Sequence, residues 1–115
     1  MFAKAVAAAG GRLNVFESSA VQDLDVFRER LGPWLSALPR PCGLLAANDA
    51  TADIVLRLLR NRRIKVPEDI AVVGIDNDTL ICENTTPTLT SVAPDFERSG
   101  YLAAEMLDAR MPTEE

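Results

Sequence analysis

The run Ile70-Ala71-Val72-Val73-Gly74-Ile75-Asp76 constrains the fold more than any other part of this 115-residue chain. Apolar residues follow one another without alternation, the pattern of a strand covered on both faces in a parallel sheet. Pro67 and the Glu68-Asp69 pair mark the loop that enters it, and a carboxylate ends it. In an open α/β sheet the ligand crevice lies beyond the carboxyl ends of the strands, where side chains can meet a guest without breaking the core. Asp76 stands at such an end.

The rest of the chain alternates in the same way. Phe2, Ala3, Val6 and Ala7 repeat at helical spacing, Gly10-Gly11 stops that helix, and Leu13 to Phe16 reads as a short strand. Leu24, Phe27, Leu31, Leu35 and Leu38 form one stripe along a second helix, which Gly32-Pro33 should kink or split and Pro39 and Pro41 should end. Gly43 to Ala47 reads as a buried strand reaching Asn48-Asp49. A third helix from about Ala50 turns Ile54, Val55, Leu58 and Leu59 inward and Arg57, Arg60, Arg62 and Arg63 outward. A long loop from Asn77 to Pro87 leads to a strand at Thr88 to Val92, and Asp95 is placed to cap a last helix through Phe96, Gly100, Ala103, Leu107 and Met111. Strands separated by helices imply a three-layer α/β/α architecture with a mostly parallel sheet and right-handed crossovers.

Composition excludes several classes of function. With 48% hydrophobic and 25% charged residues the chain is an ordinary globular domain, and a net charge of −5 argues against a surface that grips phosphate backbones. There is no histidine, and Cys42 and Cys82 fit neither a disulfide framework nor a zinc spacing. No metal and no cofactor are expected, and the unpaired cysteines suit a reducing cytoplasm. The alanine-rich start is neither a signal peptide nor a membrane span. Asp76-Asn77-Asp78 has the spacing of a calcium loop, but the position that needs a bidentate glutamate holds Pro87. A phosphoacceptor domain needs a lysine at a late strand end, and the chain's lysines, Lys4 and Lys65, do not supply it. No phosphate-cradling glycine loop appears either, so an enzyme is not expected.

Asn48, Asp49 and Asp76 follow two strands joined by one helical crossover, so they can converge on one small molecule. Carboxylates accept hydrogen bonds in their plane and an amide both donates and accepts, which suits the adjacent hydroxyls of a sugar. Each residue also has a plainer reading: Asp49 as a helix N-cap, Asn48 as a turn residue, Asp76 as an Asx-turn. Ser18, Ser19 and Asn77 are candidates for lining the same crevice, although loop polarity alone accounts for them. Trp34 falls beside the Leu31-Leu35 stripe and reads as core, and Arg60 to Arg63 as a solvated helix end.

Three segments together carry a family resemblance: Gly43 to Asp49, Val66 to Asn77, and Thr85-Thr86-Pro87-Thr88-Leu89-Thr90-Ser91-Val92. In order and spacing they resemble the effector-binding domains of lactose/galactose-repressor-type transcription regulators. Arg28-Glu29-Arg30-Leu31-Gly32-Pro33-Trp34 and the Gly74-Ile75-Asp76-Asn77 strand end resemble xylose-operon regulators, in which a periplasmic-binding-protein-like sensor precedes an AraC-type DNA-binding domain. The resemblance implies that residues 1–115 are the C-terminal lobe of a type I periplasmic-binding-protein-like domain, with the first lobe and the DNA-binding domain outside this chain. It implies a small sugar as effector, held by Asn48, Asp49 and Asp76, and a cytoplasmic parent protein that is a homodimer. DNA would be contacted only through the missing domain, and no membrane is involved. A transport-type sugar-binding protein is the alternative, since its fold would be the same.

Overall fold

The structure is a computed structural model that describes residues 1–18 and 22–113. Helix α1 (Phe2–Ala8) is alanine-rich and contributes no buried residue; Gly10, at φ 75°, turns the chain away from it. Helix α2 (Leu24–Ala37) is capped by Asp23, whose carboxylate accepts from the amides of Asp25 (2.8 Å) and Val26 (3.3 Å). It runs unbroken through Gly32-Pro33, where a kink or split was expected. An interior proline costs about 3 kcal/mol, but Leu31 and Leu35 flank it at 3% and 0% exposure, and burying two leucines recovers roughly 3–6 kcal/mol. Gly32 also leaves the space that the Arg62 guanidinium occupies, and Arg62 Nε donates to Ser36 Oγ at 3.0 Å, tying α2 to the end of the next helix.

Strand β1 (Cys42–Leu45), helix α3 (Asp49–Asn61) and strand β2 (Ile70–Ile75) form the central crossover unit. β1 and β2 are parallel, with Cys42 opposite Ile70 and Leu45 opposite Val73. Helix α3 packs on the sheet through Ala52, Val55, Leu56 and Leu59, with Ile54 and Leu58 half-buried and Arg57, Arg60, Arg62 and Arg63 exposed as the helical stripe predicts. The stretch expected as one long loop contains a single-turn helix, α4 (Thr79–Cys82), capped by Asp78. Strand β3 (Thr90–Val92) adds to β2 in parallel, Gly74 opposite Ser91, giving the order β1-β2-β3. Asp95 caps the last helix, α5 (Phe96–Asp108), through the Arg98 amide at 2.9 Å.

The α/β class and the parallel sheet are as expected; the strand expected at Leu13 to Phe16 is not formed. Those residues line an open groove beside β1, and Phe16 spends its ring on an aromatic cluster, 5.8 Å from Phe27 and 5.4 Å from Trp34. Four residues, three of them apolar, are too few to fix a strand by pattern alone. Trp34 packs against the core, as its place beside the leucine stripe predicts. Ile70, Val72 and Gly74 face the α3 side and are buried, whereas Gly43, Leu45, Ala71 and Val92 on the other face are exposed. Helix α5 contributes no buried residue. The core therefore lies between the sheet and the α2–α3 layer. No helix among the described residues is long and apolar enough to cross a membrane.

Candidate functional site

The parallel order brings the ends of all three strands to one edge. Asn48 follows β1 there in extended backbone (φ −156°, ψ 172°) and is the N-cap of α3: its Oδ1 accepts from the Thr51 amide at 2.8 Å. The cap is thus Asn48, not Asp49. Among the described residues only the oxygen of the amide is engaged, and its nitrogen, a double donor, has no partner there.

Asp49, the first residue of α3, points inward and is 1% exposed. Its Oδ1 accepts from the Ser91 hydroxyl at 2.6 Å, and its Oδ2 accepts from the Asp78 amide at 2.7 Å and the Cys82 thiol at 3.5 Å. Burial alone would raise its pKa, but the bonds from Ser91, Asp78 and Cys82 more than offset this and hold the carboxyl below the ordinary aspartate range. Burial, and then the neighbouring Asp49, push the Cys82 thiol up. Gly74 is what lets this carboxylate reach the sheet, because a Cβ there would fall on Asp49 Oδ1. Asp49, expected among the ligand contacts, is therefore an internal residue. Three donors already meet its two oxygens, and at 1% exposure it has no surface to offer a sugar hydroxyl.

Asp76 follows β2 and is exposed, as is Asn77. Both depart from ordinary backbone, at φ 117° and 54°. Such conformations cost of order 1–3 kcal/mol each and persist only where surrounding structure imposes them. Here the Asp76 amide donates to the Val92 carbonyl at 3.0 Å and the Asn77 amide to Ser91 Oγ at 3.0 Å. Asp78 then turns its carboxylate onto the amides of Leu80 and Ile81. Of the three acids, Asp49 is spent internally and Asp78 on a cap. Asp76 alone keeps its carboxylate without a partner among the described residues. No set of three acid or thiol side chains among them converges in a way that would hold a metal ion.

Of the three residues expected to converge, the structure brings Asn48 and Asp76 to the same sheet edge and takes Asp49 beneath it. Ser18 is exposed and borders the groove that also reaches Ala46, Ala47 and Thr51, next to Asn48; Ser19 lies outside the described residues. Ser91 was not singled out by the sequence, although it joins Asp49 to the Asn77 amide. Its only sequence signal is a hydroxyl residue in a short strand.

Residues 2–115 match the family described as periplasmic binding protein-like domain. The chain belongs to that family. It is 38% identical over 88 residues to the xylose operon regulatory protein of Escherichia coli K12, covering 76% of this chain and 22% of that protein. It is 37% identical over 71 residues to the HTH-type transcriptional regulator GalR of Lacticaseibacillus casei, covering 62% of this chain and 21% of GalR. Among solved structures, a LacI family transcriptional regulator from Arthrobacter sp. FB24 in complex with lactose superposes at a TM-score of 0.72 with 30% identity, over 98% of this chain and 42% of that one. The family resemblance read from the three segments is upheld. The chain spans about a fifth of the length of these curated relatives.

Proposed function

We propose that this chain is the second lobe of the sugar sensor of a DNA-binding transcription regulator, with the first lobe and an AraC-type DNA-binding domain supplied by further sequence. The observation that carries this reading is Asp76: an exposed carboxylate without a partner among the described residues, at the carboxyl edge of a parallel sheet, on backbone held at φ 117°. A carboxylate so placed accepts two vicinal hydroxyls, and the free amide nitrogen of Asn48, on the same edge, donates to a ring or hydroxyl oxygen. Asn77 follows Asp76, and Ser18 borders the groove that reaches Ala47, the residue before Asn48. A sugar held between this edge and the missing lobe favours the closed arrangement, and closure moves the DNA-binding domains of a homodimeric, cytoplasmic parent protein.

The similarity to a xylose operon regulator supports a pentose such as xylose as effector. That the relatives named above are transcription regulators supports regulation over transport. No bond-making step is assigned to the chain: of the acids at this edge, Asp49 and Asp78 are engaged within it, and Asp76 is read as a sugar contact. A promoter-reporter assay in cells carrying the full-length protein tests the reading. D-xylose is expected to change reporter output, with lactose and cellobiose without effect, and Asp76→Ala is expected to remove the response at unchanged protein level. A full response in the folded Asp76→Ala protein would overturn it.

A further inference from the structure

We propose that Asp49 and Ser91 are positioning residues that fix the direction of Asp76 and couple it to Asn48, an inference that rests on the reading of Asp76 as an effector contact. The two candidate contacts come from different strands and share no direct bond among the described residues. They are joined by a short covalent and hydrogen-bonded path. Asn48 is bonded in sequence to Asp49, and Asp49 Oδ1 takes the Ser91 hydroxyl at 2.6 Å. Ser91 Oγ in turn accepts the Asn77 amide at 3.0 Å, one residue beyond Asp76. The second carboxylate oxygen holds the Asp78 amide at 2.7 Å. A single buried carboxylate thus pins the loop on both sides of its second unusual residue, Asn77, while the Asp76 amide is pinned to Val92 of β3.

The direction of these bonds is fixed by chemistry. Ser91 has one proton, and the short distance gives it to the carboxylate rather than to the Val92 carbonyl at 3.5 Å. Its lone pairs are left for Asn77. Rigid support of this kind is what holds a binding side chain in a productive direction. Removing the hydroxyl leaves the loop free to relax to ordinary backbone, and Asp76 swings with it. Because Asn48 caps α3 at the residue next to Asp49, displacement of the carboxylate reaches the Asn48 amide as well.

Ser91→Ala and Ser91→Thr in the full-length protein test this with two measurements. In amide hydrogen exchange, Asn77 is expected to exchange about tenfold faster in Ser91→Ala, the equivalent of one lost hydrogen bond, and to return to the wild-type rate in Ser91→Thr, which keeps the hydroxyl. In calorimetry with D-xylose, affinity is expected to fall about tenfold in Ser91→Ala and recover in Ser91→Thr, at matched fraction folded. Unchanged Asn77 exchange in Ser91→Ala overturns the proposal, as does unchanged affinity in Ser91→Ala when Asp76→Ala abolishes binding. If Asp76→Ala leaves affinity intact, the effector reading fails instead, and the exchange measurement still decides whether Ser91 holds the loop.

Discussion

The carboxylate of Asp49 and the hydroxyl of Ser91 meet at 2.6 Å across 42 residues of sequence, and this contact sets the geometry of the sheet edge. It closes β1, β2 and β3 over the start of α3 in a place where an unpaired polar group would be costly. Cys82 and the Asp78 amide complete the carboxylate's surroundings.

Asp49→Ala is expected to lower unfolding free energy by about 2 kcal/mol, because it removes the acceptor of two part-buried hydrogen bonds, from the Ser91 hydroxyl and the Asp78 amide, and hydrogen bonds to a charged group are worth roughly 1.5–3 kcal/mol each before solvent replaces part of them. Urea denaturation followed by circular dichroism measures it. A loss smaller than about 0.5 kcal/mol, the usual effect of a surface change, would mean that water replaces the carboxylate freely.

Stability should also depend on Asp49 in acid. Its carboxyl titrates below the unfolded value of about 3.9, so it contributes stability that is present above that value and is lost as pH falls through the folded pKa. The gap between wild type and Asp49→Asn is therefore expected to be constant near neutrality and to shrink below about pH 4. Thermal melts across that range check the sign. A gap that widens on acidification contradicts it.

Gly74→Ala separates crowding from backbone strain, since Gly74 is not among the residues with positive φ. Its Cβ would fall on Asp49 Oδ1 and lie 3.2 Å from Leu89 Cδ2. Asp49 cannot retreat without giving up Ser91 and Asp78, so a loss of about 3 kcal/mol, the upper end for overpacking, is expected in urea denaturation. Gly43→Ala is the control: its Cβ meets nothing within 4 Å, and stability should be nearly unchanged. Equal effects at the two positions would contradict the packing described for Asp49.

Much of this was legible in the sequence, and the reasons differ by residue. β2 and its terminal Asp76 could be read because a continuous apolar run ending at an acid fits a parallel strand, but cover on both faces, also expected from that run, is not seen among the described residues: Ala71 on the face away from α3 is exposed. The Asp95 cap and the exposed arginines of α3 are local patterns and held. The single turn of α4 was missed although Asp78 is a good capping residue, because one turn leaves no periodicity to find. Leu13 to Phe16 looked like a strand, but tertiary contacts to Phe27 and Trp34 claimed Phe16 instead. The fate of Asp49 was out of reach: whether an acid before a helix caps it, meets a ligand or turns inward depends on partners such as Ser91 that only the folded sheet brings near.

The isolated 115-residue chain is expected to bind D-xylose far more weakly than the full-length protein. One sheet edge leaves the sugar half in water, so each hydroxyl contact competes with solvent, whereas an enclosed site desolvates the same contacts. Calorimetry on the two proteins side by side checks this. Comparable affinity would place the whole site on this lobe.

The most direct measurement is the D-xylose affinity of the full-length protein with and without the Asp76 carboxylate. Hydrogen bonds to a charged acceptor contribute about 1.5–3 kcal/mol each, so losing two of them in Asp76→Ala should weaken binding at least about a hundredfold, with the melting temperature unchanged because the side chain is exposed. Binding of D-xylose at wild-type affinity by a folded Asp76→Ala protein would contradict the assignment of this strand end to the effector.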